Sequence, residues 1–235
     1  DGQVWREAMY NESKTLELYG QYSKAIKQHD FSILGGYSYN DFEEQNFNLY
    51  NYNYPTDALG YAKPGLGMAL KEGLASMDGH KFMNKLISFF GRVNYNYDEK
   101  YLLEFNIRND YSSYFAKGNR SGVFPSFSAG WRISEEKFWS VLKPYVPSLK
   151  IRGSWGLVGN NRIGAYQYMQ TVSVTNGISF GDKLAQTATF ASTNPDLKWE
   201  TTRMANIGFE LGLLNNDLNI TFDCFNNRTK DILVN

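Results

Sequence analysis

Apolar side chains alternate with polar or small ones along much of this chain, at a period of two residues. In residues 88–110 most apolar positions are odd-numbered on both sides of a polar triplet at 98–100, while Arg92, Glu104 and Arg108 occupy even-numbered positions. The apolar set is Phe89, Val93, Tyr95, Tyr97, Tyr101, Leu103, Phe105 and Ile107. Since successive side chains of a strand point to opposite faces, the pattern predicts two antiparallel strands joined by a tight turn.

The same alternation predicts eight strands along the chain, and in none of them does a charge lie centrally on the apolar face. The predicted strands are residues 15–23, 31–40, 88–97, 101–110, 124–133, 149–158, 205–214 and 217–225. The predicted fold class is therefore all-β and antiparallel. A soluble sheet packed on its own core shows the same alternation as the wall of a transmembrane β-barrel, so the pattern alone leaves both open.

The links between the predicted strands alternate in length. Short polar links follow the first, third and seventh strands, whereas long links occupy residues 41–85 and 159–198. Residues 111–125 form a link of middle length at the long end, and residues 134–148 fall at the short end. Short turns at one end and long loops at the other are typical of outer-membrane barrels.

Two links have predicted structure of their own. Ser134 is a candidate helix N-cap with acidic residues in the first turn, and Pro144 and Pro147 are expected to end that helix. Around Asn176 and Gly177 the sequence "VSVTNGISF" predicts an extra hairpin with a primed turn.

Composition excludes several function classes. The 24 basic and 24 acidic residues cancel, so nothing suggests a nucleic-acid-binding surface. One cysteine and two histidines leave little for a disulfide framework, a metal site or a catalytic triad, so we expect no cofactor, no metal and no enzyme activity. No run approaches the length of a membrane-spanning helix, which leaves a strand-built membrane protein open.

Several longer segments of the sequence resemble the β-barrel of SusC/RagA-type TonB-dependent transporters of Bacteroidetes. They are "FFGRVNYNYDEKYLLEFNIRND", "FAKGNRSGVFPSFSAGWRISEEKFW", "LKIRGSWGLVGNNRIGAYQY", "NPDLKWETT" and "NIGFELGLLNNDLNITFDCFNNRTKDIL". The resemblance implies a segment of about eight strands from an outer-membrane barrel of about 22, with long extracellular loops. It also implies TonB-dependent uptake of oligosaccharides or peptides, with a SusD-like surface lipoprotein as partner.

The resemblance further implies that residues 1–235 are an internal part of one barrel domain, since the signal peptide, the TonB box, the plug domain and the remaining strands have no counterpart in this sequence. TonB would then act through the missing N-terminal region. The expected location is the bacterial outer membrane, with the apolar faces against the lipid bilayer.

On this interpretation the charged side chains of the polar faces line the lumen. They are Arg92, Glu104, Arg108, Arg132, Arg152 and Glu210. Mutual charge pairing that holds the wall is the favoured role for them, and contact with substrate is the alternative.

Two loop motifs are candidates for ligand contact. Tyr50, Tyr52 and Tyr54 alternate with asparagines and would suit stacking on sugar rings, although packing within the loop or on the lipoprotein is favoured. Asn160, Asn161 and Arg162 follow a predicted strand at the lumen mouth, where a turn built for backbone reasons explains the same residues.

The leading hypothesis for function is thus the wall of an outer-membrane nutrient importer, with oligosaccharides the expected ligand. A soluble β-sandwich that binds carbohydrate is the alternative, and it predicts that the apolar faces meet in a closed core. A structural barrel without transport is a third reading of the same strands.

Overall fold

A computed structural model describes residues 2–56, 58, 62–164, 167–170, 172–180, 183–190 and 193–234. It is built almost wholly of strands: β1 Gly2–Ile26, β2 His29–Tyr54, β3 Ser76–Tyr97, β4 Tyr101–Ser112, β5 Ser121–Arg132, β6 Ser148–Asn160, β7 Val172–Phe180, β8 Lys183–Phe190, β9 Glu200–Leu213 and β10 Leu218–Lys230. The short helices are α1 Met68–Lys71 and the 3₁₀ segments Pro64–Leu66, Ile133–Glu135, Lys137–Val141 and Leu214–Asn216.

Eight of the strands form one sheet in the order β1-β2-β3-β4-β5-β6-β9-β10, and β7 pairs with β8 in a sheet of their own. From β3 to β10 each neighbouring pair in the large sheet is antiparallel. The all-β class and the eight predicted strands are confirmed. A sandwich would divide the eight strands between two facing sheets, so the β-sandwich hypothesis is wrong.

The first three strands are much longer than the alternation predicts. β2 continues to Tyr54 and β3 begins at Ser76, so most of the predicted long loop at 41–85 is strand, and only residues 55–75 connect the two. β1 likewise begins at Gly2 instead of Thr15. In these extensions charged side chains occur on both faces, as at Glu43 and Glu44 of β2, so the single apolar face on which the prediction depended is interrupted.

Two local predictions need correction. The extra hairpin exists as β7 and β8, but Asn176 and Gly177 lie within β7 beside a register shift, and the last register pair joins Phe180 to Lys183. Ser134 lies inside the 3₁₀ segment Ile133–Glu135 and does not cap a helix. The link contains two 3₁₀ segments separated by Glu136, whose backbone is extended.

The chain divides into two compact units, and β1, β2 and β3 contribute to both. Unit 1 comprises Asp1–Thr15 and Asn40–Lys85. Within it Asn51 is almost fully buried and donates from Nδ2 to the carbonyl oxygens of Pro64 and Gly67, at 2.8 and 3.3 Å. That amide fixes the short helical connection against the end of β2.

Unit 2 comprises Leu16–Tyr39 and Leu86–Asn235, and its strands are in a register that sorts side chains by polarity. Successive register partners form an apolar row across five strands: Tyr101, Trp131, Ile151, Phe209 and Phe222. The adjacent row begins at Leu102 and is otherwise polar or small: Gly130, Arg152, Gly208 and Asp223. We call these two sides of the sheet the apolar face and the polar face.

Burial in unit 2 is inverted relative to a soluble sheet. On the apolar face Phe105 is 44% and Ile207 62% exposed, whereas Ser88 and Asp110 on the polar face are buried. The conventional apolar core of unit 2 lies mainly in its loops, where Phe115, Ile163 and Trp199 are buried together with Phe124 of β5. We call these four residues the loop cluster.

The loop cluster lies where β5 and β6 are no longer paired. Pairing between β5 and β6 ends at Ser126 and Gly156, next to Pro125, which has no N–H to donate. Beyond that point the ring of Phe124 lies against Gly159, where any side chain would collide with it. Trp199 packs edge-on against Phe124 at 5.3 Å between ring centroids and donates from Nε1 to the carbonyl oxygen of Arg120.

Candidate functional site

The polar face of unit 2 encloses a concavity of about 750 Å³. Its polar lining consists mainly of hydroxyl and amide side chains, with a few charges: Ser32, Asn94, Asn96, Glu104, Ser128, Arg152, Ser154 and Asn206. These residues come from β2 to β9, and the strict alternation of each strand directs them to one side. The concavity thus combines hydrogen-bonding side chains with apolar and small residues such as Leu102 and Ala129.

Arg152 is the centre of a charge network that crosses three strands. Its Nη2 lies 2.7 Å from Asp223 Oδ2 on β10, and its Nε lies 3.0 Å from Glu210 Oε1 on β9. Lys150 Nζ lies 3.5 Å from the other oxygen of Glu210. Gly208 lies between Arg152 and Asp223 in the row, and a Cβ there would lie 2.5 Å from Asp223 Oδ1. Only glycine at this position leaves room for the ion pair between Arg152 and Asp223.

Arg92 and Glu104 are joined through an amide. Arg92 Nε donates to Asn106 Oδ1 at 2.6 Å, and Asn106 Nδ2 donates to Glu104 Oε1 at 2.8 Å. The amide between the two charges relays hydrogen bonds along the polar face.

Arg108 is fixed more tightly. Its Nε donates to both oxygens of Asp110, at 2.7 and 3.0 Å, its Nη2 donates to Ser88 Oγ at 2.8 Å, and its guanidinium lies over the Phe90 ring. Arg132 makes the loosest pair, 3.8 Å from the exposed Glu99.

All six predicted lumen residues therefore have hydrogen-bond or ion-pair partners, which supports the structural role that the sequence favours. The partners Asn106, Asp110 and Asp223 are the functional residues that the sequence analysis missed. A signal for two of them was present, because Asn106 follows Glu104 and Asp110 follows Arg108 by two positions on the same face of β4.

An aromatic group lies at the end of the wall where the tight turn at 98–100 is found. Tyr101 and Trp131 stack with their ring centroids 6.3 Å apart, and both donate hydrogen bonds to Glu136 Oε1. The bond from Tyr101, and then that from Trp131, lowers the pKa of Glu136 below its usual value. The carboxylate thus stays charged and ties the link after β5 to the strand ends.

The three candidate tyrosines lie at the end of β2 in unit 1. Tyr50 donates to Gln3 Oε1 at 2.8 Å and has the rings of Trp5 and Tyr52 at 6.4 and 5.6 Å. Tyr54 is buried, and its hydroxyl donates to the Pro64 carbonyl oxygen at 2.6 Å. Tyr50 and Tyr52 thus form an accessible aromatic group, while Tyr54 holds the connection in place.

The three candidates after β6 lie beside the loop cluster in unit 2. Asn160 donates to Glu200 Oε1 at 3.2 Å, and Asn161 donates to Ser112 Oγ at 3.1 Å. Arg162 is exposed, and the next residue, Ile163, is buried in the cluster. Both amides brace loops, so Arg162 is the member of this group whose side chain faces solvent.

Within the described part of the chain, no His, Cys, Asp or Glu side chains group as a metal site would require. Among the helices of those same residues, none has the length and apolar character to cross a membrane.

Residues 4–235 match the family model described as TonB dependent receptor-like, beta-barrel. The chain is 33% identical over 228 residues to TonB-dependent receptor SusC of Bacteroides thetaiotaomicron, covering 95% of this chain and 22% of that protein. It is 31% identical over 226 residues to TonB-dependent receptor P3 of Formosa agariphila, with the same two coverages.

A solved structure agrees. The structure of the RagAB peptide transporter superposes with a TM-score of 0.86 at 28% identity, over 99% of this chain and 25% of that one. The chain belongs to the TonB-dependent receptor β-barrel family, whose proteins reside in the outer membrane. The resemblance to SusC and RagA inferred from the sequence is confirmed, and the chain spans 22% of the length of each of the two relatives.

Proposed function

We propose that residues 1–235 lie within one barrel domain of an outer-membrane TonB-dependent transporter of the SusC/RagA type, which imports nutrients. The observation that carries the proposal is the superposition of nearly the whole chain on RagAB at a TM-score of 0.86. The family match over residues 4–235 supports the same assignment.

In this proposal the apolar face contacts lipid. Large apolar side chains such as Phe105 and Ile207 are exposed on it, and bilayer acyl chains would cover them. The antiparallel register satisfies backbone groups between strands, which is a requirement within the hydrocarbon layer.

The polar face then lines the path of the solute. Arg92, Glu104, Arg108, Arg132, Arg152 and Glu210 hold the wall through their pairs, and the hydroxyl and amide side chains of the concavity present neutral hydrogen-bonding groups. A lining that mixes hydrogen-bonding, charged and apolar side chains supports passage of a polar solute that must enter and leave without being trapped.

We propose an oligosaccharide as the ligand, with Tyr50, Tyr52 and Arg162 as the accessible contact residues. The paired rings of Tyr50 and Tyr52 offer a stacking surface for sugar rings. A peptide is the second candidate, because the RagAB structure is that of a peptide transporter. TonB and a SusD-like surface lipoprotein are the proposed partners, since the SusC and RagAB relatives belong to this transporter type.

Uptake in whole cells tests the proposal. A strain that lacks the full-length protein and a complemented strain are given fluorescently labelled neutral oligosaccharides or a labelled protein digest, with and without a protonophore. We expect the complemented strain alone to accumulate the oligosaccharides, and the protonophore to abolish accumulation. If only the protein digest accumulated, the ligand would be a peptide and not an oligosaccharide. A full-length protein found outside the outer-membrane fraction would overturn the whole proposal.

A further inference from the structure

The outer side of unit 1 has a group of charges at positions that are apolar elsewhere on the same strands. On β1 the even-numbered positions 16, 18 and 22 are apolar, but positions 12 and 14 are charged. The odd-numbered positions of β2 and β3 change in the same way. The six residues, which we call the charged belt, are Glu12, Lys14, Asp41, Glu43, Lys81 and Lys85.

The charged belt is held together by ion pairs across the strands. Lys81 Nζ lies 2.7 Å from Glu43 Oε1, and Lys85 Nζ lies 3.4 Å from Asp41 Oδ2, so that β3 is paired to β2 twice. Lys14 Nζ lies 3.0 Å from Glu12 Oε1 on β1. The hydrogen bond from Lys81 lowers the pKa of Glu43, and the bond to Glu12 raises the pKa of Lys14. Glu43 and Lys14 therefore stay charged at neutral pH.

The lysines are the outer layer of the belt. The side chains of Lys14, Lys81 and Lys85 are 67%, 49% and 52% exposed, against 39%, 24% and 25% for their partners Glu12, Glu43 and Asp41. Each ammonium carries three donors on a long, largely exposed stem, so an external anion can approach it beside its carboxylate partner. The surface presented outward is therefore cationic although the belt is neutral in sum.

We propose that the charged belt binds the phosphate groups of anionic lipid headgroups at the outer boundary of the bilayer. The inference rests on the proposed function, in which lipid acyl chains contact the apolar positions further along the same strands. Lysines close to an anionic membrane surface gain affinity over a distance of about one Debye length. The belt would thereby fix the depth of the strands in the membrane.

Native mass spectrometry of the full-length protein in an uncharged detergent tests this inference. Dioleoyl phosphatidylglycerol or dioleoyl phosphatidylcholine is added at equal concentration, and lipid adducts are counted. The triple variant Lys14→Gln, Lys81→Gln and Lys85→Gln should lower phosphatidylglycerol affinity by about fivefold or more, which is the effect of one surface lysine, and leave phosphatidylcholine binding unchanged.

Two further variants separate charge from folding. Replacing all three lysines with arginine should restore phosphatidylglycerol binding. The matched triple variant Lys71→Gln, Lys117→Gln and Lys198→Gln removes exposed lysines outside the belt and should bind like the wild type. Equal phosphatidylglycerol binding by the wild type and the belt variant, or an equal loss in the matched variant, would overturn the inference. A wild-type protein that inserts into membranes without preferring the anionic lipid refutes the inference alone, whereas one that is soluble without detergent refutes the proposed function.

Discussion

The apolar face of the wall and the loop cluster, both in unit 2, place large apolar side chains in opposite surroundings. On the wall Phe105 and Ile207 are exposed, while Ser88 and Asp110 on the other face are buried. In the loops Phe115 is completely buried and Trp199 nearly so. One chain thus contains an apolar core of the kind found in water and a surface of the kind found in lipid.

The difference shows how the two regions are stabilised. The loop cluster is stabilised by packing of protein against protein, which can be described from its own contacts. The wall depends on the surrounding lipid. Backbone hydrogen bonds between strands and the ion pairs of the polar face order the strands, and the apolar face gains free energy only when acyl chains cover it. Substitutions in the two regions should therefore respond differently.

The largest effect is expected for Phe115→Ala in the loop cluster. The fully buried ring leaves a cavity, and we expect a loss of about 3–5 kcal/mol in the free energy of unfolding. Phe105→Ala is the matched control on the wall, where acyl chains fill the space and only the transfer free energy of about 1.5–3 kcal/mol is lost. Urea unfolding of the full-length protein in lipid vesicles measures both. Equal losses would mean that the two regions do not differ.

A charge on the apolar face should cost nearly as much. Phe105→Arg is expected to destabilise the protein in vesicles by about 2–4 kcal/mol, because an arginine near the bilayer midplane loses its hydration. Ser128→Arg places the same charge in the concavity on the other face of the sheet and should have a much smaller effect. If Ser128→Arg were the more damaging, the assignment of the two faces would be reversed.

The polar face should depend on the charge network around Arg152. Arg152→Gln leaves Asp223 unpaired and Glu210 with Lys150 alone, and we expect a loss of about 1–2 kcal/mol because the group is only partly buried. Glu99→Gln breaks the long and exposed pair with Arg132 and should cost about 0.5 kcal/mol or less. The urea midpoints of the two variants provide the comparison.

The smallest effect concerns pH. Because the pKa of Glu136 is lowered in the folded protein, its contribution to stability is present above the ordinary carboxyl pKa and is lost as the pH falls through the lowered value. Glu136→Gln should remove that part of the acid dependence and leave stability at pH 7 slightly reduced. Unfolding midpoints between pH 3 and pH 7 test it, with Glu135→Gln in the same link as the control. Parallel pH curves for Glu136→Gln and the wild type would contradict it.

The wall was predictable because its chemistry is periodic. Every row from Tyr101 to Phe222 repeats an alternation that can be counted in the sequence, so the eight strands and the charged residues of the polar face could be found in advance. Beyond these rows, charged and amide side chains interrupt both faces of β1, β2 and β3, so no single apolar face continues, and residues 41–54 were therefore expected to be loop.

The loop cluster could not be predicted for a different reason. Phe115, Ile163 and Trp199 come from three separate loops and meet through contacts distant in the chain, including the bond from Trp199 to Arg120. No spacing of residues along the sequence predicts that these side chains are in contact. The turn of the β7–β8 hairpin was likewise misplaced, because Asn176 and Gly177 suit a bulge as well as a primed turn.

The central claim is that odd-numbered positions of β4 contact lipid and even-numbered positions face the lumen. Spin labels attached to single cysteines at positions 102 to 107, in the full-length protein with Cys224→Ser and reconstituted in vesicles, measure accessibility to oxygen and to a water-soluble nickel complex. We predict high oxygen accessibility at 103, 105 and 107 and high nickel accessibility at 102, 104 and 106. The same accessibility at all six positions, or the opposite alternation, would contradict the account.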